Sequence, residues 1–310
     1  MTDALLISHL PEELWWNAAL ENFRKTPLTP PSVEAVCARL ENHSTNPLAI
    51  RGAVALAQRD VARTALLLNA CKISAIDFWS PDYPECLRHL KRPPWCLYVI
   101  GRMLVDAPTL AVVGSRNPNR YGMELVREIL PRLKTRPLQI ISGLAFGIDA
   151  LAHLHACEAG IVNFGVLGSG IDILYPVEHV WLARRILDGG GGIISEYPPG
   201  MKPAKWHFPM RNRIISALSH VVWIPQGTAK SGSLHTAEAA AIQGRLVCAS
   251  PGDVFSDLSA LPNRLLFEGV PPIRSAQDLD ELLQREFRTT SGDRASSCCA
   301  PAKAPPPAAS

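Results

Sequence analysis

From residue 110 onward, short runs of Val, Ile and Leu alternate with longer stretches in which apolar residues recur at helical spacing. Continuously apolar runs are typical of strands buried on both faces, as in parallel sheets, and the longer stretches predict helices between them. The predicted strands occupy residues 110–114, 138–143, 161–168, 191–196, 220–225 and 245–252, with a weaker seventh at 271–275. This alternation predicts a doubly wound α/β domain with a mostly parallel sheet.

The chain on either side of this region has a different pattern. Before residue 77, apolar residues recur at helical spacing between proline-rich breaks, which predicts a small helical N-terminal domain. Prolines exclude a long helix from the next segment, which ends in the predicted strand "WCLYVIG". The C-terminal end is rich in Ala, Pro and Ser without an apolar period, which is typical of disorder. The predicted division is a helical domain at 1–76, a connecting segment packed on the core domain at 77–109, the α/β domain at 110–287 and a disordered tail at 288–310.

Composition narrows the functional classes. Hydrophobic residues make up 47% of the 310 residues, enough for a large core, and the net charge of +3 permits an anionic partner without requiring one. The eight cysteines form no CxxC pair and the histidines lack zinc-ligand spacing, so we expect neither a metal site nor a cofactor. The N-terminus does not resemble a signal peptide, and no apolar run approaches the ~18 residues of a membrane span. We therefore expect a soluble, cytoplasmic protein.

Segments rich in Gly and Ser follow the first five predicted strands. In an open parallel sheet, ligands bind beyond the carboxyl ends of the strands, where glycines allow close approach and helix N-termini offer free N–H groups to anions. The same segments contain the cations Arg116, Arg120, Lys202, Lys205, Arg211, Arg213 and Lys230, and the aromatic residues Phe146, Tyr175, Tyr197, Trp206 and Phe208. Together they predict a phosphate-binding rim whose rings can stack on bases.

Each of these features alone also has a purely structural interpretation. The Ser-Gly-Ser turn at 231–233 can act as a helix cap, because serine is a preferred N-cap residue. Arg211 and Arg213 can form internal ion pairs, and Asp149 can hold its loop through backbone N–H groups. The prediction of a binding site therefore depends on five such loops meeting at one edge of the sheet.

The chain contains, in order, the segments "AVVGSRNPNRYG", "ISGLAFGIDALAH", "GVLGSGIDILYP", "ISEYPPG", "FPMRNRIISALSHVVW", "SGSLHTAEAA" and "PNRLLFEG". Together with "DYPECLRHLKRPPWCLYVIG" before them, they resemble the DNA-processing protein A (DprA/Smf) family over about residues 73–285. The resemblance implies an extended Rossmann-like domain that binds single-stranded DNA, forms a homodimer and helps to load the RecA recombinase during natural transformation. Many family members also end in a winged-helix domain, which the Pro/Ala-rich tail does not resemble.

Carried over motif by motif, the resemblance assigns the DNA pocket to loops that the residue pattern had already indicated. The assigned residues are Gly114, Ser115, Arg116, Ser142, Gly143, Gly168, Phe208, Arg211, Asn212, Arg213, Lys230, Ser231, Gly232 and Ser233. The main hypothesis is therefore a DNA-binding protein without catalytic residues. Two alternatives stay open: a Rossmann-like nucleotide hydrolase, faintly suggested by "PQGTAKSGSLHTAEA" with Glu238 as its acid, and a nucleotide sensor.

Overall fold

A computed structural model describes residues 3–10, 35, 36, 38, 40 and 47–293. The helices are α1 (Asp3–His9), α2 (Pro47–Cys71), α3 (Glu85–Arg88), α4 (Arg120–Ile129), α5 (Ile148–Glu158), α6 (Val180–Asp188), α7 (His207–Ala217), α8 (Gly232–Ile242), α9 (Ala260–Phe267) and α10 (Ala276–Asp293). The strands are β1 (Ser74–Asp77), β2 (Cys96–Gly101), β3 (Thr109–Val112), β4 (Gln139–Ser142), β5 (Val162–Val166), β6 (Gly192–Ser195), β7 (Val221–Ile224) and β8 (Leu246–Ala249).

All of these strands form one sheet in the order β1-β2-β6-β5-β4-β3-β7-β8. Six neighbouring strands of this sheet, β6, β5, β4, β3, β7 and β8, are parallel to one another. Strands β1 and β2 extend one edge in antiparallel pairing. From β3 the chain proceeds through β4 and β5 to β6 on one side, then crosses to β7 and β8 on the other. The strand order therefore reverses between β3 and β7, the kind of switch point at which open α/β sheets bind ligands.

Helices cover both faces of the sheet, which explains why its strands are apolar throughout. Val112, Ile140 and Trp223 pack in one buried cluster with side chains of α4, α5 and α10. Ile141 and Val222, which point to the opposite face, belong to a second cluster with side chains of α7, α8 and α9. The predicted class, a doubly wound and mostly parallel α/β sheet preceded by helices, is confirmed.

The edge of the sheet differs from the prediction in one respect. The predicted strand "WCLYVIG" of the connecting segment corresponds to β2, whereas β1 begins at Ser74, within the predicted helical domain 1–76, and both strands extend the sheet of the core domain. The short strand β1 has half-exposed and exposed residues and no long apolar run, so its sequence carries little strand signal. The helical region before it contacts the same edge, where Ser8 Oγ lies 2.8 Å from Tyr98 Oη of β2.

Near the C-terminus, the structure differs from two further predictions. The weak seventh strand at 271–275 is absent from the described sheet and leaves one isolated bridge between Ala249 and Pro272. Helix α10 continues to Asp293, so residues 288–293 are helical rather than part of the expected disordered tail. The rest of that tail, 294–310, lies outside the described residues, as does most of 11–46. The proposed domain boundaries stay a prediction. None of the described helices is both long and apolar enough to span a membrane.

Candidate nucleic-acid interface

A cleft of about 760 Å³ opens at the switch point, beyond the carboxyl ends of the strands. It is bounded by the turn after β3, the first half of α7 and the segment that leads into α8. The predicted residues that line it are Gly114, Ser115, Arg116, Phe208, Arg211, Asn212, Lys230, Ser231, Gly232 and Ser233. The fold therefore brings together three sequence segments that are far apart in the chain.

The Gly-Ser-Arg turn after β3 is fixed by its own backbone. Ser115 N donates to the Gln226 carbonyl at 2.8 Å, and the Ser115 carbonyl accepts from Ile148 N at 3.0 Å, in the first turn of α5. A Cβ on Gly114 would lie 2.6 Å from the Gln226 carbonyl oxygen, so only glycine fits this close approach. With Ser115 occupied in this way, the exposed Arg116 side chain is the group that the turn presents to the cleft.

An arginine and two aromatic rings form one wall of the cleft. Arg116 Cζ lies 5.6 Å from the centroid of the Phe208 ring, within the range of a cation–π contact. The Phe208 ring lies 5.5 Å from that of Tyr175, centroid to centroid, and Tyr175 remains 49% exposed. This wall offers both a positive charge and an accessible ring face to a ligand.

Arg211 forms the floor. Its Nη1 donates to the Gly143 carbonyl at 2.6 Å and to the Val166 carbonyl, which places the guanidinium directly over the ends of β4 and β5. Burial lowers the pKa of Arg211 to about 10, while the nearby Asp149 carboxylate acts in the opposite direction. The guanidinium therefore remains charged at neutral pH, and none of its hydrogen bonds with described residues uses Nη2.

Three predicted residues lie beneath the cleft rather than in its lining. Ser142 is buried and donates from Oγ to the Val112 carbonyl at 2.6 Å. A Cβ on Gly143 would lie 2.4 Å from Arg211 Nη1, and a Cβ on Gly168 would lie 3.0 Å from the Phe208 ring. These residues therefore support the side chains that form the floor and the aromatic wall.

Arg213 does not reach the cleft lining. Its Nη1 and Nη2 bind the two carboxylate oxygens of Glu196 at 2.7 and 2.6 Å, and its Nε donates to the Arg92 carbonyl at 3.0 Å. The Glu196 side chain is only 2% exposed. Of the two interpretations left open for Arg213, the structure favours the internal ion pair.

The segment before α8 completes the cleft. Lys230 is exposed at its edge, and Ser231 is the N-cap residue of α8. The Ser231 hydroxyl makes no capping hydrogen bond and instead bonds to the Ser233 hydroxyl. Asn212 Nδ2 donates to the Gly232 carbonyl at 3.2 Å and so joins α7 to the start of α8.

The charge of the lining is strongly asymmetric. Its cations are Arg116, Lys205, Arg211 and Lys230, and its one carboxylate is Asp149. Asp149 accepts a hydrogen bond from Gly143 N at 3.1 Å, and burial raises its pKa while Arg211 acts against that rise. Arg116, Lys205 and Lys230 are exposed and form no ion pair with the described residues. The cleft is thus an electropositive pocket at neutral pH.

Some lining residues were not assigned from the sequence. Lys205 and Tyr175 belong to segments that the pattern marked as basic or aromatic, so a signal existed for both. Thr236 carried no signal of its own, because its position one turn into α8 matters only once the helix is in place. Glu238, the acid of the hydrolase alternative, is exposed, lies outside the lining and contacts His235 at 3.4 Å. No cluster of His, Cys, Asp and Glu suited to a metal ion occurs in the described part of the chain.

The fold and the site define a Rossmann-like α/β protein with a cationic, aromatic-lined cleft at its switch point. The model of the DNA recombination-mediator protein A family matches residues 74–284, and the chain therefore belongs to that family. This confirms the resemblance inferred from the motifs.

Individual relatives agree with the family match. The chain is 40% identical over 221 residues to DNA processing protein DprA of Bacillus subtilis, which covers 70% of this chain and 74% of the relative. It is 39% identical over 206 residues to protein Smf of Escherichia coli, covering 66% of this chain and 55% of that protein. The alignment thus includes about half of the Escherichia coli protein.

Two solved structures are similar. DNA processing protein A from Streptococcus pneumoniae superimposes with a TM-score of 0.76 at 31% identity, over 89% of this chain and 94% of that one. DNA processing protein A from Helicobacter pylori, described for its single-stranded DNA binding mode, superimposes with a TM-score of 0.62 at 29% identity, over 69% of this chain and 97% of that one.

Proposed function

We propose that the cleft binds single-stranded DNA, through phosphate contacts on its cations and base stacking on its rings, and that the protein catalyses no reaction on the strand. The observation that carries the proposal is the composition of the lining, which contains four cations and two aromatic rings but one carboxylate. Such a combination of charge and ring faces suits a flexible polyanion with unpaired bases. The single-stranded DNA binding of the Helicobacter pylori relative supports the same assignment.

The proposed contacts divide into two kinds. Arg116 and Lys230 are exposed and can reach phosphate oxygens, whereas Arg211 is buried and supplies a fixed positive potential at the floor. Tyr175 and Phe208 can stack on bases of any identity, because every base has a ring face. Phosphates carry no sequence information, so binding should tolerate any sequence.

Family membership extends the proposal to the protein's partners. We propose that the chain acts as a cytoplasmic homodimer and helps to load RecA recombinase on DNA during natural transformation. A RecA filament-assembly assay on oligonucleotides coated with a single-strand binding protein tests the loading, and sedimentation at several protein concentrations tests the dimer. Unchanged assembly in the presence of this protein contradicts the first proposal, and a concentration-independent monomer contradicts the second.

The nucleotide-hydrolase alternative is not favoured by the position of Glu238, whose carboxylate is exposed on α8 outside the cleft lining. Incubation with nucleoside monophosphates, followed by chromatography for free base, tests it. Turnover that is abolished by Glu238→Ala would overturn our choice. Tighter binding of mononucleotides than of oligonucleotides would instead favour the sensor alternative.

Fluorescence anisotropy with a labelled oligothymidylate tests DNA binding directly. Arg116→Ala removes a cation that we propose binds phosphate and should weaken binding by about 1–3 kcal/mol, a loss of roughly fivefold to 150-fold. The slope of log K against log salt should become shallower by about 0.7, the change expected when the protein neutralises one phosphate fewer on a single strand. Arg274→Ala is a matched control, because Arg274 is an exposed arginine paired with Asp278 on α10, outside the cleft lining. If Arg116→Ala and Arg274→Ala bind equally well, the cleft is not the binding site.

A further inference from the structure

One turn into α8 lies a polar group that the assigned residues do not explain. Thr236 is 1% exposed and lines the cleft, and its Oγ1 has no hydrogen-bond partner among the described residues. A buried hydroxyl without a partner costs free energy, so natural structures usually satisfy it with a neighbour or a ligand. We propose that Thr236 donates its hydroxyl proton to a phosphate group seated at the N-terminus of α8. This inference rests on the proposed function and adds to it one specific phosphate-binding position. We call this position, formed by residues 230–233 and Thr236, the phosphate seat.

The Thr236 hydroxyl does not make the local hydrogen bond that is usual for a helical threonine. A helical threonine commonly bonds to the carbonyl four residues earlier, which here belongs to Gly232. That carbonyl accepts a hydrogen bond from Asn212 Nδ2 at 3.2 Å. The threonine hydroxyl therefore remains available for another acceptor.

Helix geometry places Thr236 over the first turn of α8, at the cleft. A helical Cβ leans toward the N-terminus, so residue 236 covers the turn formed by residues 232 and 233, three and four positions earlier. Both of these residues line the cleft. A Cβ on Gly232 would meet no atom within 4 Å, so the space above this turn is open to a ligand.

The groups around this space are hydrogen-bond donors. Ser231 and Ser233 share one hydrogen bond between their hydroxyls, which leaves one of the two protons free to donate outward. Leu234 N donates to the Ser231 carbonyl at 3.0 Å, whereas the N–H groups of Gly232 and Ser233 make no backbone hydrogen bond with the described residues and lie at the positive dipole end of the helix. Lys230 precedes them in the lining. A set of donors beside a cation suits a tetrahedral oxyanion, which a phosphate group supplies.

The neighbouring helices at this edge are capped internally. Asn119 Oδ1 accepts from Gly122 N at 3.2 Å in the first turn of α4, and the Ser115 carbonyl accepts from Ile148 N in α5. The seat at α8 is distinguished from them by the partnerless hydroxyl of Thr236.

The test compares two substitutions of Thr236. Thr236→Val keeps the shape and removes the hydroxyl, and it should weaken oligothymidylate binding about tenfold, as expected for one hydrogen bond to a charged group. The melting temperature of the free protein should stay the same or rise, because a buried partnerless hydroxyl is removed. The slope of affinity against salt should not change, since no charge is removed. Thr236→Ser keeps the hydroxyl and should bind nearly as well as the wild type.

Thr289→Val serves as a matched control, because Thr289 is exposed on α10 and should have no effect on binding. Wild-type affinity in Thr236→Val overturns the inference, and so does an equal loss in Thr236→Val and Thr236→Ser. If wild-type protein binds the oligonucleotide and Arg116→Ala weakens it while Thr236→Val does not, only the phosphate seat fails. If wild-type protein binds no oligonucleotide, the proposed function fails and the inference with it.

Two sources can supply the phosphate, and paired oligonucleotides with and without a 5′-phosphate distinguish them. We expect the same loss in Thr236→Val for both strands, which supports an internal phosphodiester in the seat. A loss confined to the 5′-phosphorylated strand supports a terminal phosphate there. Neutral methylphosphonate linkages placed one at a time should include one position that weakens wild-type binding more than it weakens Thr236→Val. If no position does so, the hydroxyl does not contact a phosphate.

Discussion

Arg211 and Arg213 illustrate how two residues of one short motif acquire different roles. Both lie on α7, where residues two apart point about 200° from each other. Arg211 faces the ends of β4 and β5 and binds the Gly143 carbonyl, while Arg213 faces away from the cleft and binds both oxygens of Glu196. The first contributes positive potential to the cleft, and the second fixes α7 to the segment after β6.

Substitution of Arg213 should therefore affect stability and not DNA affinity. Arg213→Ala leaves the buried Glu196 carboxylate without its partner and should lower the free energy of unfolding by about 3–5 kcal/mol. Urea unfolding measures this loss, and anisotropy on the folded fraction should give wild-type affinity. Arg274→Ala breaks a solvent-screened pair at the surface and should leave the free energy of unfolding almost unchanged. If Arg213→Ala weakens DNA binding without lowering the free energy of unfolding, Arg213 contacts the DNA after all.

His153 should make the folded state sensitive to acid. The residue is fully buried on α5 with Nδ1 2.9 Å from Asn163 Oδ1, and burial lowers its pKa to about 4. The unfolded chain takes up this proton near its ordinary pKa of about 6.5, so stability falls as the pH drops from about 6.5 toward 4, by up to about 3 kcal/mol. Urea unfolding at about pH 7 and about pH 5 measures the change. We expect His153→Gln to reduce this pH dependence, and a variant with the full dependence would assign it to other groups.

At the scale of the elements, glycines allow the loops to approach one another around the cleft. A Cβ on Gly143 would lie 2.4 Å from Arg211 Nη1, whereas one on Gly232 would meet nothing within 4 Å. Gly143 is thus needed by the protein itself, and the space at Gly232 is free for a ligand.

Alanine substitution at these two glycines should separate stability from binding. Gly143→Ala should displace Arg211 and lower stability by about 1–3 kcal/mol, because the added methyl has no room. Gly232→Ala should fold at least as stably as the wild type, since alanine is the better helix former, but should bind oligothymidylate several-fold more weakly. Thermal unfolding and anisotropy on both variants measure the two effects, and each variant serves as the control for the other. Wild-type affinity in Gly232→Ala would mean that the ligand does not approach this turn.

At the scale of the whole molecule, the net charge of +3 is small, yet four cations and one carboxylate line a single cleft. This concentration of charge, and not the overall balance, is what a polyanion meets. The fold produces it by bringing the ends of separate strands to one edge of the sheet.

The salt dependence of binding should reflect this local charge. The three exposed cations of the lining, Arg116, Lys205 and Lys230, can neutralise phosphates, so log K should fall against log salt with a slope of about −2, the product of three contacts and about 0.7 for single strands. Anisotropy titrations at several potassium chloride concentrations measure this slope. A slope near zero would mean that stacking, and not phosphate contact, supplies the affinity.

The amino-acid sequence by itself determined the class of fold and the edge of the sheet at which the cleft lies. Continuous apolar runs separated by helical periods are sufficient for a parallel, doubly wound sheet, and the Gly/Ser loops after the strands follow from that topology. The strand β1 was missed because four partly exposed residues at a sheet edge carry almost no periodic signal.

Only the tertiary structure decided which side chains face the cleft. The orientation of Arg211 and Arg213 depends on how α7 is rotated against the sheet, and the Gly-Ser-Arg turn depends on Gln226, from a distant part of the chain. Thr236 acquires its significance because the packed helices leave its hydroxyl buried beside the cleft without a hydrogen-bond partner among the described residues. Such contacts join residues far apart in sequence, and a pattern of neighbouring residues along the chain does not encode which distant group will lie beside each side chain.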